Sequence, residues 1–169
     1  MAAVDPPRPL EAADVRDAFD CGRQSLNMWF SRHALANHVN GNSRVNVMAE
    51  RATGRIVGYV SLSAAQIERT FLPKSWQRNR PDPVPVTLLG QLAVACQDQR
   101  QGHAASLLLF ALKTALRASE QIGSAGVITH PLDDQVRCFY AKWGFETLEF
   151  DLGRTMMVRM VDLRRSFEV

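Results

Sequence analysis

The sequence lacks an apolar stretch long enough to cross a bilayer, and its N-terminus lacks the apolar core of a secretory signal. Its three cysteines are an odd number without CxxC spacing, which predicts free thiols rather than a disulfide framework. The four histidines have no metal-ligand spacing, so we expect no metal site. Repeats and low-complexity tracts are also missing. These absences favour a cytoplasmic globular protein without a membrane partner.

The composition is that of an ordinary globular protein, with 46% hydrophobic and 22% charged residues in a chain of 169. A chain of this length buries a sizeable core, and we expect one domain over residues 1–169. The net charge is +3, yet residues 1–20 carry five acids against two bases. The remainder is therefore net +6, which suits a polyanionic ligand and also an ordinary solvated surface.

Hydrophobic periodicity predicts the order of the elements. The expected helices are residues 11–19, 26–34, 104–120 and 136–143, and the expected strands are 45–49, 56–64, 86–94, 125–129 and 156–160. A long, basic, proline-rich loop is expected over residues 65–85. This order predicts an α/β fold in which a mixed central β-sheet is flanked by helices, with a βαβ core around residues 86–129.

The stretch from Leu92 to Ala105 carries the clearest chemical signal. A buried strand ends, a turn with small residues follows, and a helix begins. The first N–H groups of a helix and its dipole attract anions, and Gly102 and Ala104 leave the backbone open to a phosphate oxygen. Arg100 adds a full positive charge. The pattern predicts a pyrophosphate site made by backbone amides, distinct from the P-loop and from the dinucleotide-binding glycine motif.

A second motif, Phe139-Tyr140-Ala141-Lys142-Trp143-Gly144-Phe145, lies on the helix after the next strand. Together with the Q-x-x-G-x-A turn after Leu92-Ala93-Val94, it resembles the GNAT family of N-acetyltransferases. The segments 19–22, 58–62 and 83–94 extend the likeness over nearly the whole chain. They resemble the acetyltransferase toxins of bacterial type II toxin–antitoxin modules.

The resemblance implies a single-domain GNAT fold and an enzyme that uses acetyl-CoA to acetylate the α-amino group of aminoacyl-tRNA, which blocks translation. It implies that the Val94 N–H holds the thioester carbonyl and that Tyr140 is the acid that protonates the departing thiolate. It also implies a ribbon-helix-helix antitoxin as partner, while the oligomeric state, monomer or homodimer, stays open. The expected acetyl-CoA contacts are Leu92, Ala93, Val94, Gln99, Arg100, Gln101, Gly102, His103, Ala104 and Ala105. The expected tRNA contacts, in the basic loop, are Lys74, Arg78 and Arg80.

Three positions depart from the family pattern. Gln91 stands where the toxin subgroup often has an arginine, and Ala104 stands at the second glycine of the turn. Asp134 stands where many members carry an asparagine that acts at the thiol side of the cofactor.

No strong general base stands out in the sequence. This favours an α-amine as acceptor, because its ordinary pKa of about 7.7–8.0 leaves a neutral fraction at physiological pH.

The residues alone leave other interpretations open. Periodicity makes Tyr140 a core residue, because it lies on the apolar stripe with Val136 and Trp143. Two further functions are therefore weighed against the toxin. One is an acetyltransferase acting on a small amine or a protein N-terminus, and the other is a non-catalytic acyl-CoA-binding module.

Overall fold

The structure, a computed structural model, describes residues 2–151 and 154–168. The helices are α1 (Gln24–Arg32), α2 (Ala34–Val39), α3 (Lys74–Gln77), α4 (His103–Ala118), α5 (Asp134–Ala141) and α6 (Met160–Phe167). The strands are β1 (Arg8–Pro9), β2 (Arg44–Ala49), β3 (Ile56–Ile67), β4 (Val84–Val94), β5 (Gly126–Thr129), β6 (Glu146–Thr147) and β7 (Met156–Arg159). In the described part of the chain, no helix has the length and apolar character needed to cross a membrane.

The strands follow the order β1-β2-β3-β4-β5-β7-β6. The β4–β5 pair is parallel, whereas β1–β2, β2–β3, β5–β7 and β6–β7 are antiparallel. The chain passes from β4 to β5 through α4, so the expected βαβ core and the expected mixed sheet are both confirmed. The residues group into two compact units.

The first unit consists of residues 2–63 and 90–111. Its core has an aromatic centre, in which the ring of Tyr59 stacks on that of Phe30 with centroids 4.3 Å apart. The Tyr59 hydroxyl donates to the Leu26 carbonyl oxygen at 2.8 Å, so this buried polar group is satisfied. At Gly58 the packing leaves no room for a side chain, because an added Cβ would lie 2.8 Å from the Ala93 carbonyl oxygen.

The second unit consists of residues 64–89 and 112–168, apart from 152 and 153. Its strand β5 is fully buried and pairs with β4 in the register Thr87↔Val127 to Leu89↔Thr129. One core cluster of this unit is formed by Ile67, Leu72, Val84, Val86, Ala125, Ile128, Leu148 and Met157. Burial on both faces explains why β5 reads as a continuous apolar run.

The prediction of a helix over residues 11–19 is wrong, because this segment forms turns. Asp14 supplies the physical reason. Its carboxylate accepts the Glu11 backbone N–H at 2.8 Å and pairs with Arg8 at 2.7 Å. A side chain that binds the local backbone in this way competes with helical hydrogen bonds.

Two further boundaries differ from expectation. The loop expected over 65–85 is shorter, because β3 continues to Ile67 and β4 begins at Val84. The segment between them holds a 3-10 turn, Arg69–Phe71, and the single-turn helix α3. The last strand ends at Arg159, where the chain turns into α6, a helix that was not expected.

Candidate active site

The turn between β4 and α4 presents backbone donors on a strained frame. Arg100 and Gly102 have φ angles of 63° and 86°, in the left-handed region, and α4 begins at His103. Backbone that enters this region in a turn can direct successive N–H groups towards one point, which makes a concave anion site. The N–H groups of His103, Ala104 and Ala105 lie in the first turn of α4 and have no acceptor within the helix. This backbone conformation is compatible with anion binding, and the pyrophosphate site stays a prediction.

The strand that leads into this turn ends with three apolar residues that were expected at the cofactor. Ala93 and Val94 are buried and Leu92 is half-buried. Just before them, the Ser61 hydroxyl lies 2.8 Å from Gln91 Oε1 and accepts the Gln91 backbone N–H at 3.0 Å. Gln91 is thus held by Ser61.

The side chain of Gln99 braces the turn through two hydrogen bonds. Its Nε2 donates to the Val94 carbonyl oxygen at 2.9 Å and to the Cys21 carbonyl oxygen at 3.1 Å. Both side-chain N–H groups therefore shape the turn. Gln99, Arg100 and Gln101 are all exposed residues of this turn. A contact between any of these side chains and the cofactor stays a prediction.

A second brace, absent from the sequence predictions, joins the turn to the β2–β3 hairpin. The guanidinium of Arg55 binds both carboxylate oxygens of Asp98, at 2.8 and 3.0 Å, and reaches Glu50 at 3.1 Å. Asp98 is only 8% exposed, and its hydrogen bond raises the pKa of Arg55 above the ordinary value. Arg55 and Asp98 lie 43 residues apart, so no local pattern could have revealed this pair.

We expect Asp98→Ala to lower the free energy of unfolding by about 1–3 kcal/mol, because it removes the bidentate partner of the half-buried Arg55. Acetyl-CoA affinity should fall with it, since the turn loses its anchor. Asp5→Ala is the matched control, because it breaks an exposed pair with Arg51 in the same unit. Exposed pairs contribute little. Thermal unfolding and calorimetry would measure both effects, and equal losses in the two variants would contradict the brace.

The second motif forms a helix cap that fixes Tyr140. The Phe145 N–H donates to the Tyr140 carbonyl oxygen at 3.3 Å, and the Gly144 N–H donates to that of Ala141 at 3.1 Å. This pair of bonds is the Schellman arrangement, and Gly144 has the positive φ of 91° that it requires. The Phe145 ring packs on the Tyr140 ring with centroids 5.1 Å apart. The expected position of Gly144 just after the helix is confirmed.

The Tyr140 hydroxyl lies where β4 and β5 stop pairing. It interacts with Thr129, the last residue of β5, and the Thr129 hydroxyl donates to the Leu89 carbonyl oxygen at 3.1 Å. Leu89 and Thr129 also form the final pair of the parallel ladder within the described residues. Burial raises the pKa of Tyr140 to about 12, although the bond to Thr129 acts in the opposite direction. The phenol is therefore protonated at neutral pH.

The basic loop carries fixed positive charge in the second unit. Residues 69–80 contain four basic residues and no acid. Lys74 and Arg78 are exposed, and Arg80 is half-buried with its carbonyl oxygen bound by Arg69 Nη1 at 3.0 Å. The helix α3 is anchored by Trp76, whose ring lies 4.8 Å from the guanidinium of Arg159. The loop is therefore an ordered segment that exposes positively charged side chains.

Asp134 is exposed in the first turn of α5. Across residues 2–151 and 154–168, no group of three or more His, Cys, Asp or Glu side chains is arranged to hold a metal ion.

Comparison with known proteins gives three informative similarities, while no family model matches the chain. The chain is 36% identical over 164 residues to a tRNA-acetylating toxin of Mycobacterium tuberculosis, and the match covers 97% of each chain. The solved structure of AtaT complexed with acetyl-methionyl-tRNAfMet has a TM-score of 0.90 and 26% identity, covering 98% of this chain and all of that one. AtaTR bound with AcCoA has a TM-score of 0.85 and 27% identity, covering 98% of both chains.

The relative from M. tuberculosis matches this chain almost from end to end, and both solved structures share its fold at high TM-score. The motifs that carried the resemblance lie in the turn before α4 and in the cap of α5. The chain belongs to the tRNA-acetylating toxins, which are acetyl-CoA-dependent N-acetyltransferases of the GNAT fold.

Proposed function

We propose that this chain transfers the acetyl group of acetyl-CoA to the α-amino group of an aminoacyl-tRNA and thereby blocks translation. The observation that carries the proposal is the 36% identity, over 97% of both chains, to a relative named for tRNA acetylation. The neighbour AtaT, solved with acetyl-methionyl-tRNAfMet, supports the same acceptor.

In this proposal acetyl-CoA binds along the end of β4 and the turn before α4. The backbone N–H groups from Gly102 to Ala105 bind the pyrophosphate, and Arg100 adds its charge. Leu92 and Ala93 line the pantetheine, and the Val94 N–H holds the thioester carbonyl. Such a donor stabilises the developing oxyanion by roughly 3–4 kcal/mol in comparable enzymes. Gln99, Gln101 and His103 shape or flank the turn.

Tyr140 acts on the leaving group. An ordinary thiol has a pKa of about 8.5, whereas burial raises the pKa of Tyr140 to about 12. Complete proton transfer to the thiolate is therefore uphill in the resting environment. A hydrogen bond from the phenol to the sulfur, which strengthens as negative charge develops, still lowers the barrier. The proton moves only as the C–S bond breaks.

The basic loop is proposed to bind the tRNA through its phosphates, because Lys74 and Arg78 are exposed. Replacing Lys74, Arg78 and Arg80 by glutamine should raise the KM for aminoacyl-tRNA about tenfold and flatten its salt dependence. The KM for acetyl-CoA should hardly change. The matched control replaces the exposed residues Arg117, Arg164 and Arg165 by glutamine. It removes the same amount of positive charge from the protein. If both triple variants behave alike, the effect is one of net charge only.

The proposal is tested by comparing acceptors at one acetyl-CoA concentration. We expect kcat/KM for aminoacyl-tRNA to exceed that for a small amine or an N-terminal peptide by orders of magnitude, and deacylated tRNA to accept nothing. A preference for the small amine or peptide would overturn the proposal. So would acetyl-CoA binding without any transfer.

The partner in the cell is proposed to be an antitoxin of the ribbon-helix-helix class, as the resemblance to the toxins of toxin–antitoxin modules implies. Co-expression with the reading frame beside the toxin gene should abolish growth arrest. The oligomeric state stays open between monomer and homodimer, and light scattering of the purified protein would decide between them.

A further inference from the structure

A hydrogen-bond chain at the end of β5 leads from an exposed histidine to a carboxylate. His130 Nδ1 lies 3.0 Å from Thr155 Oγ1, and the Thr155 hydroxyl bonds to Asp151 Oδ2. Asp151 also accepts the backbone N–H groups of Arg154 and Thr155, at 2.9 and 3.1 Å. Thr155 is 2% exposed, whereas His130 faces solvent. The functions proposed above use none of these residues.

The bonding pattern fixes which atom donates in each of these hydrogen bonds. Partial burial raises the pKa of Asp151, but the hydrogen bonds from Thr155 and Arg154 outweigh it, and the pKa lies below its usual value. An ionised carboxylate can only accept, so Thr155 gives its single hydroxyl proton to Asp151. The Thr155 oxygen must then accept from the Nδ1–H of His130. A neutral His130 held in this tautomer presents an unprotonated Nε2 to its surroundings.

The position of His130 relates it to the acid of the reaction. His130 directly follows Thr129, whose hydroxyl contacts Tyr140 and the Leu89 carbonyl. His130 therefore lies at the same strand end as the residue that contacts Tyr140, directly after β5. An acyl transfer needs two groups near one reacting carbon, because one receives a proton from the amine while the other supports the departing thiolate.

We propose that His130 Nε2 is the general base that takes the proton of the acceptor amine, with Thr155 and Asp151 as positioning residues. The inference rests on the proposed function. The amine nitrogen adds to the thioester carbon and forms the C–N bond, and the C–S bond breaks with its electron pair on the sulfur. The amine proton passes to Nε2, the thiolate takes the Tyr140 proton, and the imidazolium returns a proton to Tyr140 through solvent.

This assignment fills the place for which the sequence offered no strong base. A neutral α-amine can attack unaided, but the nitrogen becomes positively charged as the C–N bond forms. Its proton must then leave, and an imidazole is suited to receive it near neutral pH. The opposite view is that these hydrogen bonds only hold Thr155 and His130 in place beside Asp151. The two views separate experimentally.

His130→Asn is the deciding variant. The asparagine Nδ2 stands close to where Nδ1 stood and can still donate to Thr155, but no base replaces Nε2. We expect the single-turnover rate at saturating substrates to fall roughly 10²–10⁴-fold, the usual range for one acid–base group. The melting temperature and the acetyl-CoA affinity should hardly change. His33→Asn, at an exposed histidine of the other unit, is the control and should keep the wild-type rate.

Two further measurements guard against a folding artefact. Added imidazole should restore part of the rate of His130→Ala, because a free base can enter the vacated space. Thr155→Val should slow the reaction and Thr155→Ser should recover it. A rate of His130→Asn within a few-fold of wild type, or no imidazole rescue of a folded His130→Ala, would overturn the assignment. Wild type that acetylates no aminoacyl-tRNA would instead overturn the proposed function, and the His130 variants are then compared on the acceptor it does use.

Discussion

Tyr140→Phe should remain folded and bind acetyl-CoA, yet transfer the acetyl group roughly 10²–10³ times more slowly, in the lower half of the usual range for one acid–base group. The ring and its packing on Phe145 survive, because only the hydroxyl is lost. We expect the rate to fall by less than the upper limit of that range, because a thiolate is a good leaving group. Expression of wild type should arrest growth, and expression of the variant should not. Single-turnover acetylation of aminoacyl-tRNA is the measurement.

The second tyrosine of the chain provides the control. Tyr59→Phe removes a hydroxyl that is fully buried and donates to the Leu26 carbonyl oxygen. Its loss should cost about 1 kcal/mol of stability and leave the transfer rate unchanged. If Tyr140→Phe reacts within a few-fold of wild type, Tyr140 is a core residue as its periodicity alone indicates. The thiolate then leaves without its help.

Gly102→Val should weaken acetyl-CoA binding about tenfold to a hundredfold, which corresponds to one charge-assisted hydrogen bond of about 1.5–3 kcal/mol. Two causes act together. Gly102 has a φ of 86°, which a β-branched residue adopts only with strain. The valine side chain would also stand in open space beside the N–H groups, where a phosphate oxygen approaches. Calorimetry with acetyl-CoA measures the change.

Gly41→Val separates the two causes. Gly41 has a φ of 78° and equally open surroundings, and it lies in the turn after α2 rather than in the binding turn. Both variants should lose similar stability, and only Gly102→Val should lose affinity. Unchanged acetyl-CoA affinity in a folded Gly102→Val would remove the pyrophosphate assignment.

Short-range patterns predicted the elements whose cause is local. The turn before α4 was predictable because small residues at fixed spacing leave the backbone accessible, and the structure places positive φ at Gly102. The cap of α5 was predictable because glycine at the position after a helix adopts φ of 91° without strain. The helix α6 also has a local signal in the spacing of Met160, Leu163 and Phe167, which the strand assignment over 156–160 obscured.

The remainder depends on contacts between residues that are distant in sequence. Arg55 meets Asp98 across 43 residues, and His130 meets Thr155 across 25. Neither pair belongs to a short motif, so only the fold reveals it. Asp14 shows that a local contact can also defeat a local pattern. Its side chain binds Arg8 and the Glu11 N–H, and the segment with helical periodicity forms turns instead of a helix.

The most direct measurement is the fate of the acetyl group in one turnover of wild-type protein with acetyl-labelled acetyl-CoA and charged tRNA. Mild alkaline hydrolysis of the aminoacyl ester should release the label as an Nα-acetyl amino acid. Tyr140→Phe and His130→Asn should yield far less of that product in the same time. Label found only in free acetate, or in an added peptide or small amine while charged tRNA stays unmodified, would contradict the acetylation of aminoacyl-tRNA.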